Sequence, residues 1–375
     1  MIAFEGIPSE FVTKTPIYEY KVPITEALDK INQLTAVVIT KNKSYYGIVD
    51  DRTLTRKGTL KLTKKYSIGK FAKKVPLLDN STSIEKAIVY FYTEGVKALP
   101  YMEGDVIKGV VKRSEMLKAI LSFHMLSNIK VESAMTSPII AIDSNANMAQ
   151  AKDAMQENKV NRLAVINNGK LFGIITYKDM MKAFSTSSGR APKYKNYYSL
   201  SGTTVGSACE RNIHTIEQNM LVDNAIREFL NKNISSLIVT RNQKPVGIIT
   251  VKDVFELIAS SSLESANKVI ISGLDDYTKE YEEDIKAELN DLANKINRFR
   301  RIGVNYISLN IKRSKTRNYE MRGKLVLKKG GTFAAASQGY SLESVLRDIT
   351  KKLYKFAEGK KEIVIKNKRE NEVHE

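Results

Sequence analysis

GIITYKDM occupies residues 173–180 and GIITVKDV occupies residues 247–254. Gly-Ile-Ile-Thr-x-Lys-Asp is thus written twice in one chain. A short β-branched run is a strand. A threonine followed three residues later by an acid is the start of a capped helix. Working outward from the glycine brings in two weaker copies, GIVDDRTL beginning at Gly47 and GVVKRSEM beginning at Gly109. The chain is an internal repeat of about 60 residues per copy. A longer interval precedes the last copy, because SSGRAPKYKNYYSLSG (187–202) is inserted there.

The third copy shows the grammar. PIIAI (138–142) reads as a strand, and Asp143, Ser144 and Asn145 as capping residues. Met148, Ala151, Ala154 and Met155 recur at helical spacing and predict a buried stripe. RLAVI (162–166) is a second strand, Asn167-Asn168-Gly169 a hairpin turn and LFGIIT (171–176) a third strand. YKDMMKAF then opens a closing helix. The fourth copy repeats the order, with Val222, Ile226 and Phe229 on its helix and SLIVT and PVGIIT as its hairpin. Each copy is β-α-β-β-α.

Composition limits what such a chain can be. Apolar residues make up 42% of 375, enough for sizeable cores in two or three domains. Sixty basic against 41 acidic residues leave a net charge of +19, which favours an anionic partner. Cys209 is the only cysteine, so no internal disulfide and no cysteine metal site can form. His124, His214 and His374 are scattered, and no metal is expected. No stretch approaches the ~20 apolar residues that span a bilayer. A cytoplasmic protein without a membrane partner is expected.

Four such units resemble CBS (cystathionine-β-synthase) domains, which come in pairs known as Bateman modules. The resemblance covers about residues 10–262 and is carried most clearly by the third and fourth copies. It implies that two copies pack through their sheets about a pseudo-twofold axis, with clefts that commonly bind adenine nucleotides. The predicted divisions are 1–130 for the first pair, 131–266 for the second and 267–375 for a further domain.

Thr176 with Asp179, and Thr250 with Asp253, admit two compatible readings. One is a capping box. The other is a ligand seat: a helix N-terminus and a hydroxyl suit phosphate, and a carboxylate one turn in can accept from two ribose hydroxyls. In CBS domains the matching threonine and aspartate have these roles. AMP, ADP or ATP on the second pair is therefore the expected ligand, and none is required for folding. The first pair departs from the pattern. Asp50 and Thr53 exchange the two residue types, and an acid in the phosphate position is repulsive. Lys112 and Glu115 replace them in the second copy, and that position stays open.

The grammar changes after residue 266. KVIISG (268–273) is a strand. Asp275 or Asp276 caps a helix striped by Tyr277, Tyr281, Ile285, Leu289, Leu292, Ile296 and Phe299. VNYISLNIKRS (304–314), YEMRGKLVLKKGG (319–331) and TFAAAS (332–337) are strands, and Leu342, Val345, Leu346, Ile349, Leu353 and Phe356 line a final helix. The order is β-α-β-β-β-α, with helices on one face of a sheet. The whole is thus an α/β and α+β chain. Between residues 301 and 329 the basic residues are Arg301, Lys312, Arg313, Lys315, Arg317, Arg322, Lys324, Lys328 and Lys329, against the single acid Glu320. A charged solvent face is one account; an RNA-binding face is the other and is favoured by the whole-chain surplus.

This order, GTFAAAS and SLESVLRDITKKLYKF resemble the ribosome hibernation-promoting (S30AE-like) family over 267–358. Together with the repeats, the chain is similar to the archaeal dual ribosomal subunit inhibitor type of hibernation factor. The resemblance implies a C-terminal domain with a basic tail that sits on small-subunit rRNA in the mRNA and tRNA channel. It also implies a translation inhibitor whose CBS modules extend the contact, to neighbouring elements or to the large subunit. The insert at 185–204 carries Arg190, Lys193, Tyr194, Lys195, Tyr197 and Tyr198, and is either a linker or an RNA-contacting loop. No nucleophile-base pair points to catalysis. The competing reading is an adenine-nucleotide-sensing regulatory subunit of a soluble enzyme. A DNA-binding regulator ranks last, because no helix-turn-helix with a basic recognition helix is found, and DNA is not an expected partner.

Overall fold

The computed structural model describes residues 6–56, 66–177, 179–180, 202–261, 269–299, 302–314, 317–328 and 331–372. The chain divides into two units, residues 1–126 with 255–262, and residues 127–254 with 263–375.

In the first unit the strands are β1 (Val12–Thr13), β2 (Ile17–Glu19), β3 (Ala36–Lys41), β4 (Ser44–Asp50), β5 (Ala98–Glu103) and β6 (Val106–Lys112). They form two sheets, in the orders β2-β3-β4 and β1-β6-β5. In the first copy β2 runs parallel to β3, and β3 and β4 form an antiparallel hairpin. The second copy keeps only a single parallel bridge, Leu78 to Tyr101, where its leading strand should be. Ile24, Ile31, Val37, Ile39, Val49, Ile68 and Phe71 form the core of the first copy. The helix Ile84–Glu94 of the second copy starts on Ser83, whose side chain accepts from the Lys86 N–H.

The second unit holds β7 (Ala141–Asp143), β8 (Arg162–Asn167), β9 (Lys170–Thr176), β10 (Thr215–Glu217), β11 (Ser236–Arg241) and β12 (Lys244–Thr250). The sheets β7-β8-β9 and β10-β11-β12 repeat the parallel pair and hairpin of the first copy. Asn168 and Gly169 take φ of 48° and 74° in the predicted hairpin turn. Met148, Ala151 and Met155 are buried as the stripe requires, with Leu163, Val165 and Ile175 beneath them. The cap of that helix is Asn147, boxed with Gln150, and not Asp143–Asn145, which close their own turn through the Asn145 N–H to Asp143 Oδ1 at 2.8 Å. The predicted strand 138–142 begins only at Ala141. Thr136, just ahead of it, bonds instead to Ile248, and the Ser137 carbonyl accepts from the Ala334 N–H.

Those bonds explain the glycine on which the copies align. Thr136 and Ile248 exchange backbone hydrogen bonds of 2.8 and 3.0 Å, and Glu210 and Ile174 exchange two of 3.0 Å. Each copy's leading segment thus crosses the other copy's third strand beside its glycine. A Cβ on Gly247 would lie 2.9 Å from the Thr136 carbonyl oxygen, and one on Gly173 would lie 3.0 Å from that of Glu210. Gly47 and Gly109 meet the Lys73 and Thr13 carbonyls in the same way.

The second unit continues into a four-stranded sheet, β13 (Val269–Ser272), β14 (Val304–Arg313), β15 (Tyr319–Leu327) and β16 (Thr332–Gly339), in that order. The helices Glu282–Asn297 and Leu342–Glu372 pack on one face. Ile285, Leu289, Leu292 and Ile296 meet Ile307, Leu309, Ile311, Met321, Leu325, Ile349 and Leu353 there. Each such side chain contributes about 1.5–3 kcal/mol by leaving water. The first of these helices starts later than its sequence stripe predicts. Asp275 and Thr278 close a reciprocal turn of 2.8 and 2.9 Å, leaving Tyr277 and Tyr281 64% and 41% exposed. Among the described residues no helix is long and apolar enough to cross a membrane.

Candidate functional site

The Thr-x-x-Asp sets sit where a strand hands over to a helix. Thr176 donates its N–H and hydroxyl to Asp179 Oδ2 at 3.0 and 2.6 Å, and the Asp179 N–H donates back to Thr176 Oγ1 at 3.3 Å. Thr250 and Asp253 repeat this at 2.9, 2.6 and 3.3 Å. Both sets are capping boxes, so the structural reading of the motif is realised in each.

Beyond the cap the two aspartates differ. Asp179 is half-buried. Asp253 is 6% exposed, and its Oδ1 accepts from the Thr136 hydroxyl at 3.0 Å and from Lys324 Nζ at 2.9 Å. Burial pushes the Asp253 carboxyl up, but the Lys324 ammonium and the hydrogen bonds from Thr250, Lys324 and Thr136 outweigh it and hold the carboxyl below its usual range. In the paired crossing Glu210 stands where Thr136 stands on the other side, but it is exposed and its Oε1 accepts from the Asn212 N–H at 2.7 Å.

The first pair behaves differently. Asp50 and Thr53 keep the cap with the residue types reversed: the Thr53 N–H donates to Asp50 Oδ1 at 2.7 Å, and the Asp50 N–H donates to Thr53 Oγ1 at 2.9 Å. Asp50 is buried, and its Oδ2 accepts from the Lys97 N–H at 2.9 Å. In the second copy Lys112 makes no side-chain cap, and Glu115 accepts from Lys118 at 3.1 and 3.2 Å.

Among the described residues, the basic side chains of the C-terminal sheet do not form the single open face expected of them. Lys324 is 5% exposed and also donates to the Ala134 carbonyl at 2.8 Å. Arg322 is half-buried and donates to the Asn158 carbonyl. Lys159 adds an ion pair to Glu320 at 3.1 Å and a hydrogen bond to Gln338 at 2.5 Å. The sheet face opposite its helices is therefore docked on the second repeat pair. The physical reason is in the alternation: Met321, Gly323 and Leu325 turn to the helices, so Arg322 and Lys324 turn to the repeats. Lys312, Arg317 and Lys328 are exposed, but the first two lie at the β14–β15 hairpin and Lys328 at the opposite end of β15. Arg313 lies over the Tyr277 ring at 4.3 Å and near Tyr319 at 5.9 Å. Arg301, Lys315 and Lys329 fall outside the described residues, as do Arg190, Lys193, Tyr194, Lys195, Tyr197 and Tyr198 of the insert. Among the described residues no group of three or more His, Cys, Asp or Glu could hold a metal ion.

Residues 131–186 and 205–260 match the protein family described as CBS domain. Residues 131–260 thus carry a pair of CBS-type repeats. An uncharacterized 33.4 kDa protein in a ribosomal RNA operon of Thermofilum pendens is 22% identical over 205 residues, 53% of this chain and 68% of that one. Protein MJ1225 of Methanocaldococcus jannaschii is 31% identical over 151 residues, 38% of this chain and 52% of that one. The crystal structure of MJ1225 superposes with a TM-score of 0.51 at 19% identity, covering 67% of this chain and 99% of that one, a likeness of fold. This chain's alignment thus spans about two thirds of the first curated relative and about half of the second.

Sequence reasoning anticipates Asp253 but not its engagement by Lys324. Alternation along β15 separates Lys324 from Leu325, yet nothing local says what covers that side. Thr136 escapes the motif as well; its one signal is its place a crossing away from Gly247.

Proposed function

We propose that this chain is a cytoplasmic, non-enzymatic regulatory protein whose CBS pair at 131–260 senses an adenine nucleotide. The observation that carries this reading is the pair of Thr-x-x-Asp sets held at two helix starts within the matched domains. A helix start presents N–H groups and partial positive charge to a phosphate, and a carboxylate one turn in suits a ribose diol. The C-terminal domain, docked on that pair, is the output element, and a soluble enzyme is one partner it could address. Calorimetry of the full chain with ATP, ADP and AMP tests the sensing step. Saturable binding of at least one nucleotide, weakened by Asp179→Ala, is expected; no heat from any of the three would refute the reading.

A ribosomal partner is a second reading, favoured by the cluster at the β14–β15 hairpin. Lys312 and Arg317 are exposed there, and Arg313 stacks with Tyr277, an arrangement that suits phosphates and unpaired bases. One relative is described as a protein of a ribosomal RNA operon. Under this reading the C-terminal domain occupies the mRNA and tRNA channel of the small subunit and inhibits translation, with the CBS modules extending the contact toward the large subunit. Sucrose-gradient sedimentation at low salt should find the chain in ribosomal fractions; its absence there counts against a ribosomal partner.

A further inference from the structure

Asp253 has no acceptor capacity left. A carboxylate offers about four lone-pair positions. Oδ2 takes the Thr250 N–H and hydroxyl, and Oδ1 takes the Thr136 hydroxyl and the Lys324 ammonium. A ribose diol cannot be received by Asp253 while Lys324 stays. Lys324 does not come from the repeats at all; it is carried against Asp253 by β15. The ammonium is anchored twice, to Asp253 and to the Ala134 carbonyl, and lies almost wholly out of water. Around it the same docked face holds Arg322 to the Asn158 carbonyl and Lys159 to Glu320 and Gln338, and the outward N–H of edge strand β16 at Ala334 meets the Ser137 carbonyl at 3.2 Å.

We propose that an adenine nucleotide and the C-terminal sheet compete for the Asp253 half of the CBS cleft, with Lys324 as the internal occupant that a ligand must displace. This rests on the nucleotide reading above and adds its coupling. Nucleotide on Asp253 expels Lys324 and with it the hydrogen bonds of Arg322 and Ala334, so the sheet face that carries these cations is uncovered. By reciprocity, whatever anionic partner holds that face open strengthens nucleotide binding by the same factor.

The test uses the full chain with ATP, ADP and AMP added in turn at saturating concentration. Hydrogen exchange at the Ala334 amide reports docking in the wild type, and calorimetry compares wild type with Lys324→Met. Competition predicts that nucleotide speeds exchange at Ala334 by about tenfold or more, and that Lys324→Met tightens binding by a similar factor, within the usual range of coupling. Should Lys324→Met fold poorly, the wild-type exchange measurement stands alone. Nucleotide that binds while Ala334 exchange and the Lys324→Met affinity stay unchanged overturns the competition and leaves the nucleotide reading intact. No binding of any nucleotide by either protein overturns both.

Discussion

Asp253 and Lys324 show how much one buried pair can govern. Each alone is a charge out of water; together they satisfy each other at 2.9 Å. Asp253→Asn leaves the Lys324 ammonium buried without its counter-charge and should cost about 3–5 kcal/mol, read by urea denaturation. The pH dependence follows from the sign of the shift. The folded Asp253 carboxyl titrates below its unfolded value of about 3.9, so the pair's contribution is complete above that value. It is lost only as pH falls through the lowered folded value. Between about pH 5 and 8 protection of the Ala334 amide, corrected for intrinsic exchange, should therefore be flat; a midpoint near neutrality would contradict the assignment. Thr176→Ala removes a cap and should cost about 0.5–2 kcal/mol. That cap is legible in the spacing of threonine and aspartate alone. The fate of Asp253 is not, because its partner lies 71 residues away, on β15.

Among the elements, the third strand of each repeat carries the most consequence. Its glycine lets the partner copy's leading segment cross at backbone distance. Gly247→Ala would drive a methyl against Met135 Sδ at 2.7 Å and the Thr136 carbonyl at 2.9 Å. It should destabilise the pair by about 1–3 kcal/mol, visible as a lower thermal midpoint; an unchanged midpoint would mean that the crossing gives way freely. The repeat order and the β-α-β-β-β-α order are legible because hydrophobic period and turn residues agree within each element. What misleads are residues whose role depends on a neighbour. Asp50 looks hostile to the fold's usual site, yet with Thr53 it forms the same cap reversed. Tyr277 matches a helical stripe by spacing, yet the Asp275–Thr278 turn leaves it outside, under Arg313. The β15 alternation correctly separates Arg322 and Lys324 from the core, but alternation cannot tell a solvated face from a docked one.

For the whole molecule, the charge of +19 bears on partners more than on fold. A polyanion bound through the hairpin cluster should dissociate as salt rises, with a slope set by the number of phosphates neutralised. Lys312→Glu with Arg317→Glu should flatten that slope by about the share of two phosphates, measured by co-sedimentation with ribosomes across a salt series. An unchanged slope would remove the hairpin from the interface. Nucleotide sensing by residues 131–260 stands or falls on where a nucleotide binds. A structure of the full chain determined at saturating ATP, ADP or AMP should show the ribose on Asp179, or on Asp253 with Lys324 withdrawn. Clefts that stay empty with all three nucleotides, and Lys324 still seated on Asp253, would contradict the account.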